Sequence, residues 1–172
     1  MEMTTYSAKA VKHPHQGSFL TQWELSVITR IVECLIPRSP YNPGATDVGV
    51  PAFIDHLLAN DTGSPRRRAL RDLYHRCLAL LDQVSVDLSG QGILDLDADQ
   101  LRALISRWET GDLPVDDEDL RQKLADFFQV VRLHTIQGFL SHPRHGGNID
   151  CQGWTFLYGK DGRAWLAWLR QR

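Results

Sequence analysis

Apolar residues recur at intervals of three and four over most of the chain, which is the spacing of an amphipathic α-helix. The first such series runs from Trp23 to Leu35. It starts at a capping box, in which Thr21 and Glu24 can satisfy the free amide groups of a first helical turn. It stops before Pro37, which has no amide hydrogen to continue the helix. The pattern therefore predicts a first helix that ends near Leu35.

The same spacing predicts four further helices. The second helix begins at Pro51, and the third runs from Pro65 to about Val84. The fourth follows Asp97, and the fifth runs from the acidic residues 116–119 to about Phe139. Residues 85–96 interrupt the rhythm with serine and glycine. No segment shows the strict alternation of a half-buried strand. We therefore expect an all-α fold, a compact single-domain helical bundle of about five to six helices with long ordered loops.

Several segments depart from the helical pattern. Residues 1–18 are polar and are expected to form a flexible N-terminal arm, followed by a single helical domain over residues 19–172. Two long segments, 37–50 and 139–160, combine proline or glycine with aromatic residues and are predicted to be ordered loops. A final amphipathic turn or two should either cap the core or contact another protein; it contains Trp165, Leu166, Trp168 and Leu169.

The composition narrows the class of protein. A hydrophobic content of 42% with 23% charged residues is typical of a globular domain. Nineteen basic and 21 acidic side chains give a formal net charge of -2, so the positive field that attracts phosphate is missing and nucleic acid is not an expected partner. No run of about 18 apolar residues predicts a membrane span. The N-terminus as written shows no secretory signal.

Histidine and cysteine provide the candidate for metal chemistry. His142 and His145 form an H-x-x-H in the second loop, near His134 and Cys151 in the sequence. As one alternative, this set predicts a stand-alone enzyme with a metal ion bound by these four residues. The spacing is weak evidence, because zinc sites usually show a more regular ligand pattern. No phosphate-binding loop or dinucleotide fingerprint occurs in the chain.

The first helix and the two long loops also contain an ordered set of motifs. The first half reads Phe19-Leu-Thr-Gln-Trp-Glu24, Ile36-Pro37, Pro43-Gly44-Ala45 and Asp47-Val-Gly-Val-Pro-Ala-Phe-Ile-Asp55. The second half reads Gly138-Phe139, Pro143, Gly146-Gly147-Asn148 and Gly153-Trp154. Over roughly residues 19–160 this order resembles the gluconate 2-dehydrogenase subunit 3 family, the small subunits of membrane-associated flavoprotein sugar dehydrogenases.

The resemblance implies a noncatalytic chain without a cofactor of its own. In such complexes a large subunit, similar to the glucose-methanol-choline oxidoreductases, carries FAD and oxidises a sugar, polyol or aldonate. Electrons then pass to a cytochrome c subunit or a quinone. The small subunit binds and stabilises the large one and assists its maturation and export. The implied location is periplasmic or membrane-associated through the complex if a signal was removed, and cytoplasmic if the chain is complete as written.

Nine residues of the two loops are expected to contact this partner: Pro43, Gly44, Phe139, Pro143, His145, Gly146, Gly147, Asn148 and Trp154. Gly146 and Gly147 would let the partner approach the main chain closely. Asn148 could bind exposed main chain, and Trp154 could anchor the interface as a buried aromatic side chain. The alternative for Trp154 is a place in the core of this chain.

Overall fold

Six α-helices form the part of the chain that the structure describes, residues 19–60 and 63–159 of a computed structural model. They are α1 (Gln22–Leu35), α2 (Val50–Ala59), α3 (Pro65–Ser89), α4 (Ala98–Thr110), α5 (Glu118–Leu140) and α6 (Gln152–Tyr158). Two 3-10 turns, Pro143–His145 and Ile149–Cys151, lie between α5 and α6. These residues contain no strand, and the predicted all-α bundle of five to six helices is confirmed.

The predicted helix starts are confirmed by hydrogen bonds. The hydroxyl of Thr21 accepts from the amide of Glu24 at 3.2 Å, and the carboxylate of Glu24 accepts from the amide of Thr21 at 2.8 Å. Asp97 and Gln100 form the same reciprocal pair at the start of α4. Ser64 caps α3 by accepting from the amide of Arg67. Each bond satisfies an amide that has no partner within its own helix.

Helix α3 is longer than the prediction, which placed a break at residue 85. It continues one turn further, to Ser89. The reason is that the serines bond within the structure: the hydroxyl of Ser85 donates to the carbonyl of Gln91 at 2.8 Å, and that of Ser89 to the carbonyl of Ser85. Gly90 then ends the helix with a φ of 74°, the left-handed conformation that glycine adopts readily.

The segment 139–160 was predicted to be a loop, but it contains α6. This helix has seven residues, too few to be stable by propensity alone. Tertiary bonds stabilise it: the indole N–H of Trp154 donates to the carbonyl of Leu140 at 2.7 Å, and the amide of Gly153 donates to the side chain of Asn148 at 2.8 Å. Contacts of this kind leave no periodic pattern in a glycine-rich sequence.

Helix α5 is the centre of the bundle and packs against each of α1 to α4. Its buried face consists of Leu124, Phe127, Phe128, Val131, His134, Thr135, Gly138 and Phe139. Trp108 of α4 packs its ring on those of Phe127 and Phe128, and its indole N–H donates to the carbonyl of Leu124 at 2.7 Å. The end of this central helix therefore has a fixed position, from which the second loop departs.

Two carboxylates fix the start of the described chain on the bundle. Asp55 of α2 is buried and accepts from the amides of Phe19 and Leu20 at 3.0 and 2.8 Å. Glu24 is also buried and bonds to the ring of His75 on α3. Burial alone would raise the pKa of Glu24, but the bonds from His75 and Thr21 outweigh it and lower the pKa.

The predicted arm over residues 1–18 and the final apolar turns, with Trp165, Leu166, Trp168 and Leu169, lie outside the described residues. Their roles stay predictions.

A buried pair links α3 to α5 and makes stability depend on pH. The hydroxyl of Tyr74 and Nδ1 of His134 are 2.9 Å apart, and both side chains are buried. Burial, with a smaller effect from the charge of Arg67, lowers the pKa of His134 from 6.5 to about 4. Between these values the unfolded chain binds a proton that the folded chain does not, so the folded state loses stability as the pH falls.

We predict that acidification from pH 6.5 to 4 lowers the free energy of unfolding through His134 by about 3 kcal/mol at most. His134→Gln keeps an acceptor for Tyr74 but does not titrate, so this part of the pH dependence should disappear. Urea unfolding at several pH values measures it. The control is His145→Gln, because His145 is exposed and should leave the slope unchanged. Equal slopes for wild type and His134→Gln would refute the prediction.

Candidate functional site

The loop before α2 and the segment after α5 meet at the start of α2. The amide of Ile149 donates to the carbonyl of Val48 at 3.1 Å. Gly49 precedes α2 with a φ of 80°. A Cβ at this position would lie 2.8 Å from Cδ1 of Ile149 and 2.9 Å from the carbonyl oxygen of Gly146, closer than a side chain allows. The two segments that were predicted as loops therefore form one structure.

The side chain of Asn148 holds the second segment together. Asn148 is fully buried. Its Nδ2 donates to the carbonyl of Ser141 at 2.9 Å, and its Oδ1 accepts from the amide of Gly153 at 2.8 Å. These groups lie just after α5 and in the first turn of α6, where the main chain has no helical partner. Asn148 thus joins the end of one helix to the start of the next.

The main chain between these helices is strained. Asn148, Asp150 and Cys151 have φ values of 48°, 55° and 60°, in the left-handed region. This conformation costs about 1 to 2 kcal/mol for a residue other than glycine. The surrounding contacts must therefore offset this cost, and the two bonds of Asn148 are among them.

Two glycines allow the segment to lie directly on the last turn of α5. A Cβ at Gly147 would be 2.2 Å from the carbonyl oxygen of Gly138, and one at Gly153 would be 2.1 Å from that of Phe139. Gly146 has a φ of 90°, and a Cβ there would be 2.8 Å from Nδ1 of His56. The close approaches at Gly146 and Gly147 are thus made by this chain itself. For the buried Gly147 this replaces the expected approach of a partner, whereas for Gly146 the partner contact stays a prediction.

The structure separates the nine residues expected at the interface into two groups. Gly44, Phe139, Gly147 and Asn148 are buried, so their contacts lie within the chain and they offer no surface to a partner. The remaining five are half-buried or exposed: Pro43, Pro143, His145, Gly146 and Trp154. Asn148 was expected to bind exposed main chain, but it binds the main chain of its own segment. For the second group the interface stays a prediction.

Trp154 contributes to the fold of this chain. Besides its hydrogen bond to the carbonyl of Leu140, its ring meets that of His142 edge to face at 6.0 Å between centroids. Its side chain remains half-buried, so part of the ring is accessible. Trp154 can therefore support the fold of this chain and still offer the accessible part of its ring to a partner.

The first loop is ordered, as predicted. Two carboxylates hold it in place. Glu33 of α1 accepts from the amides of Arg38 and Thr46 at 3.0 and 3.1 Å. Asp47 accepts from the amide of Gly44 at 2.9 Å and forms an ion pair with Arg38 at 3.3 Å. The loop is thereby fixed at both ends, and the residues between them project outward.

We group four side chains of these two segments as the docking face: Tyr41, Ile149, Gln152 and Phe156. Tyr41 is 93% exposed, Ile149 40% and Phe156 49%. Tyr41 and Gln152 line one shallow surface pocket of about 390 Å³, and Gln152 and Phe156 are one helical turn apart on α6. Sequence reasoning missed Tyr41 and Ile149 as site residues. The available signal for Tyr41 was an aromatic residue inside a polar, proline-rich loop.

The histidine and cysteine cluster is not assembled. His134 lies in the core against Tyr74, whereas His142 caps the turn after α5 by accepting from the amide of Arg144. His145 is exposed and accepts from the guanidinium of Arg144. Within residues 19–60 and 63–159, no three His, Cys, Asp or Glu side chains are placed to hold a metal ion. The alternative of a metal enzyme built from this cluster therefore has no structural support.

Gly147→Ala tests whether the glycine motif serves the fold. The added methyl group would lie 2.2 Å from a main-chain oxygen, so the backbone must shift. We expect the isolated chain to lose about 2 kcal/mol or more of unfolding free energy in a urea titration. The control is Gly92→Ala, where the nearest atom is a side-chain oxygen of Asp82 at 3.1 Å, so a shift of a few tenths of an ångström is enough and the effect should be below about 1 kcal/mol. Unchanged stability of Gly147→Ala would contradict the internal role.

Comparison with known proteins adds the family. In the described part of the chain, no helix combines the length and the apolar character needed to cross a bilayer. Neither the curated proteins nor the solved structures contain a significant match to this chain. The sequence profile of one family, gluconate 2-dehydrogenase subunit 3, matches residues 22–159, which include both loops and all six helices. The chain belongs to the gluconate 2-dehydrogenase subunit 3 family.

Proposed function

We propose that this chain is the noncatalytic small subunit of a heteromeric FAD-dependent dehydrogenase that oxidises sugars, polyols or aldonates. Its task is to bind and stabilise the flavoprotein large subunit and to assist its maturation and export. The family is one of dehydrogenase subunits, which supports the assignment to a complex. The docking face is the observation that carries the proposal of binding.

The docking face has the properties of a binding surface rather than of a reaction site. Its side chains offer aromatic and aliphatic area, which dominates the energy of protein interfaces when it is buried. Tyr41 stands on a loop whose two ends are fixed by carboxylates, and Ile149 follows a buried asparagine. A surface that is ordered before binding loses little conformational entropy on association. The face is therefore suited to a large, complementary protein partner.

The chemistry of the complex is assigned to its other subunits. This chain has no dinucleotide fingerprint, so we place FAD in a large subunit similar to the glucose-methanol-choline oxidoreductases. A cytochrome c subunit would accept the electrons of the reduced flavin without passing them through this chain. The complex would act in the periplasm or at the membrane, held there by its other subunits.

We predict that Tyr41→Ala weakens binding of the large subunit about tenfold or more, because exposed aromatic side chains that become buried are frequent hot spots. The large subunit to use is an FAD-dependent dehydrogenase encoded beside this chain, and titration calorimetry measures the affinity. The melting temperature of the free subunit should not change, since 93% of Tyr41 is exposed.

Val86→Ala and Leu94→Ala are the matched controls, because these residues are 39% and 38% exposed outside the docking face. They should leave the affinity within about twofold of wild type. Wild-type affinity of a Tyr41→Ala/Phe156→Ala double variant would exclude the docking face as the interface. Failure of the wild-type chain to bind any such dehydrogenase would overturn the proposed function itself.

The assignment of the flavin to the large subunit gives a second prediction. After the purified complex is separated into subunits under mild conditions, the flavin absorbance should stay with the large subunit, and the isolated small subunit should be colourless. A small subunit that binds stoichiometric flavin would contradict a noncatalytic role.

A further inference from the structure

A second exposed apolar surface lies on α5, and we call it the α5 strip: Leu133, Ile136 and Leu140. These residues are three and four positions apart, so they lie along one side of the helix. Leu133 is 52% and Ile136 is 46% exposed, and Leu140 is half-buried. The opposite side of the same helix is buried at the centre of the bundle. About half of the area of Leu133 and Ile136 is therefore left uncovered by the described residues.

The last described helix starts at one end of this strip. Trp154 of α6 donates its indole N–H to the carbonyl of Leu140 at 2.7 Å, so α6 begins at the end of the α5 strip. Helix α6 stops at Tyr158, and Gly159 follows with φ 62° and ψ -150°, a conformation restricted to glycine. The chain changes direction there. Residues after 159 thus start within a short distance of the strip.

Residues 160–172 have the sequence that would cover such a strip. In helical spacing, Trp165, Trp168 and Leu169 lie on one side. Arg163 and Arg170 lie on the opposite side, where they would face solvent. From Trp165 to Leu169 the apolar side is about one turn of helix long, enough to cover the adjacent side chains of Leu133 and Ile136.

We propose that the segment 160–172 packs along the α5 strip of its own chain, with Trp165, Trp168 and Leu169 over Leu133 and Ile136. The reach is sufficient. Leu133 lies about 10 Å along the helix from Leu140, and the five residues 160–164 can span roughly 17 Å. Because the segment is covalently attached next to the strip, its effective concentration there far exceeds that of a separate protein.

The α5 strip is distinct from the docking face. Gln152 and Phe156 belong to one side of α6, whereas Trp154, which contacts Leu140, lies about 160° around the same helix. The docking face can therefore bind a large subunit while the segment 160–172 covers the strip. The inference does not rest on the proposed function.

Trypsin tests the proposal, because the segment contains cleavage sites after Lys160 and Arg163. The full chain is digested alone in dilute solution, and mass spectrometry follows release of the segment. Leu133→Asp with Ile136→Asp should accelerate release roughly tenfold or more, since cleavage follows the population of the open form. Trp168→Ser should do the same from the other side of the contact, and it changes no residue of the six described helices.

Matched controls are Leu120→Asp, an exposed leucine at the other end of α5, and Gln171→Ser, on the polar side of the segment. Both should release the segment at the wild-type rate. Equal rates in the wild type, the strip variant and Trp168→Ser would overturn the proposal. Protection that increases with chain concentration would assign the strip to a second copy and overturn it as well. Protection that occurs only in the presence of the large subunit or of anionic vesicles would also overturn the proposal.

Discussion

The carboxamide of Asn148 makes the hydrogen bonds on which the whole segment after α5 depends. It supplies a donor to the carbonyl that follows α5 and an acceptor to the first turn of α6, both at positions where a helix leaves main-chain groups without partners. No hydrophobic contact can replace it, because a buried amide or carbonyl without a partner costs about 1 to 3 kcal/mol. The left-handed residues around it and the seven-residue helix after it both persist because these bonds are made.

At this junction, some residues are buried and support the fold, whereas their neighbours are exposed. Gly147, Gly153 and Asn148 face inward and let one segment lie on the end of α5. Tyr41 and Ile149 face outward from the same two segments. The motif that carries the resemblance to the family is therefore largely a requirement of close packing. In the proposed complex, affinity for the partner would come from the side chains that this packing holds in position.

The helices α1, α4 and α5 could be predicted from the sequence almost to the residue, because their caps are local and their apolar positions are periodic. The end of α3 could not, since Ser85 and Ser89 look like helix breakers until their hydroxyls find carbonyls nearby. Helix α6 was missed because its stability comes from hydrogen bonds to Leu140 and Asn148, outside the helix, and not from a periodic pattern within it. The glycines of the second loop were identified as special, but a sequence does not tell whether the atom that approaches a glycine belongs to the same chain.

The hydrogen bond between Ile149 and Val48 also orders events during synthesis. A ribosome makes the first loop long before the segment that supports it, and the contact closes a loop of most of the domain, which is a slow type of contact to form. Until α6 is synthesised, Tyr41 lacks Gln152, which lines the same surface pocket. In the proposed complex, the docking face would be complete only after residue 156 has left the ribosome. An incomplete chain would then lack part of the surface by which the large subunit is bound.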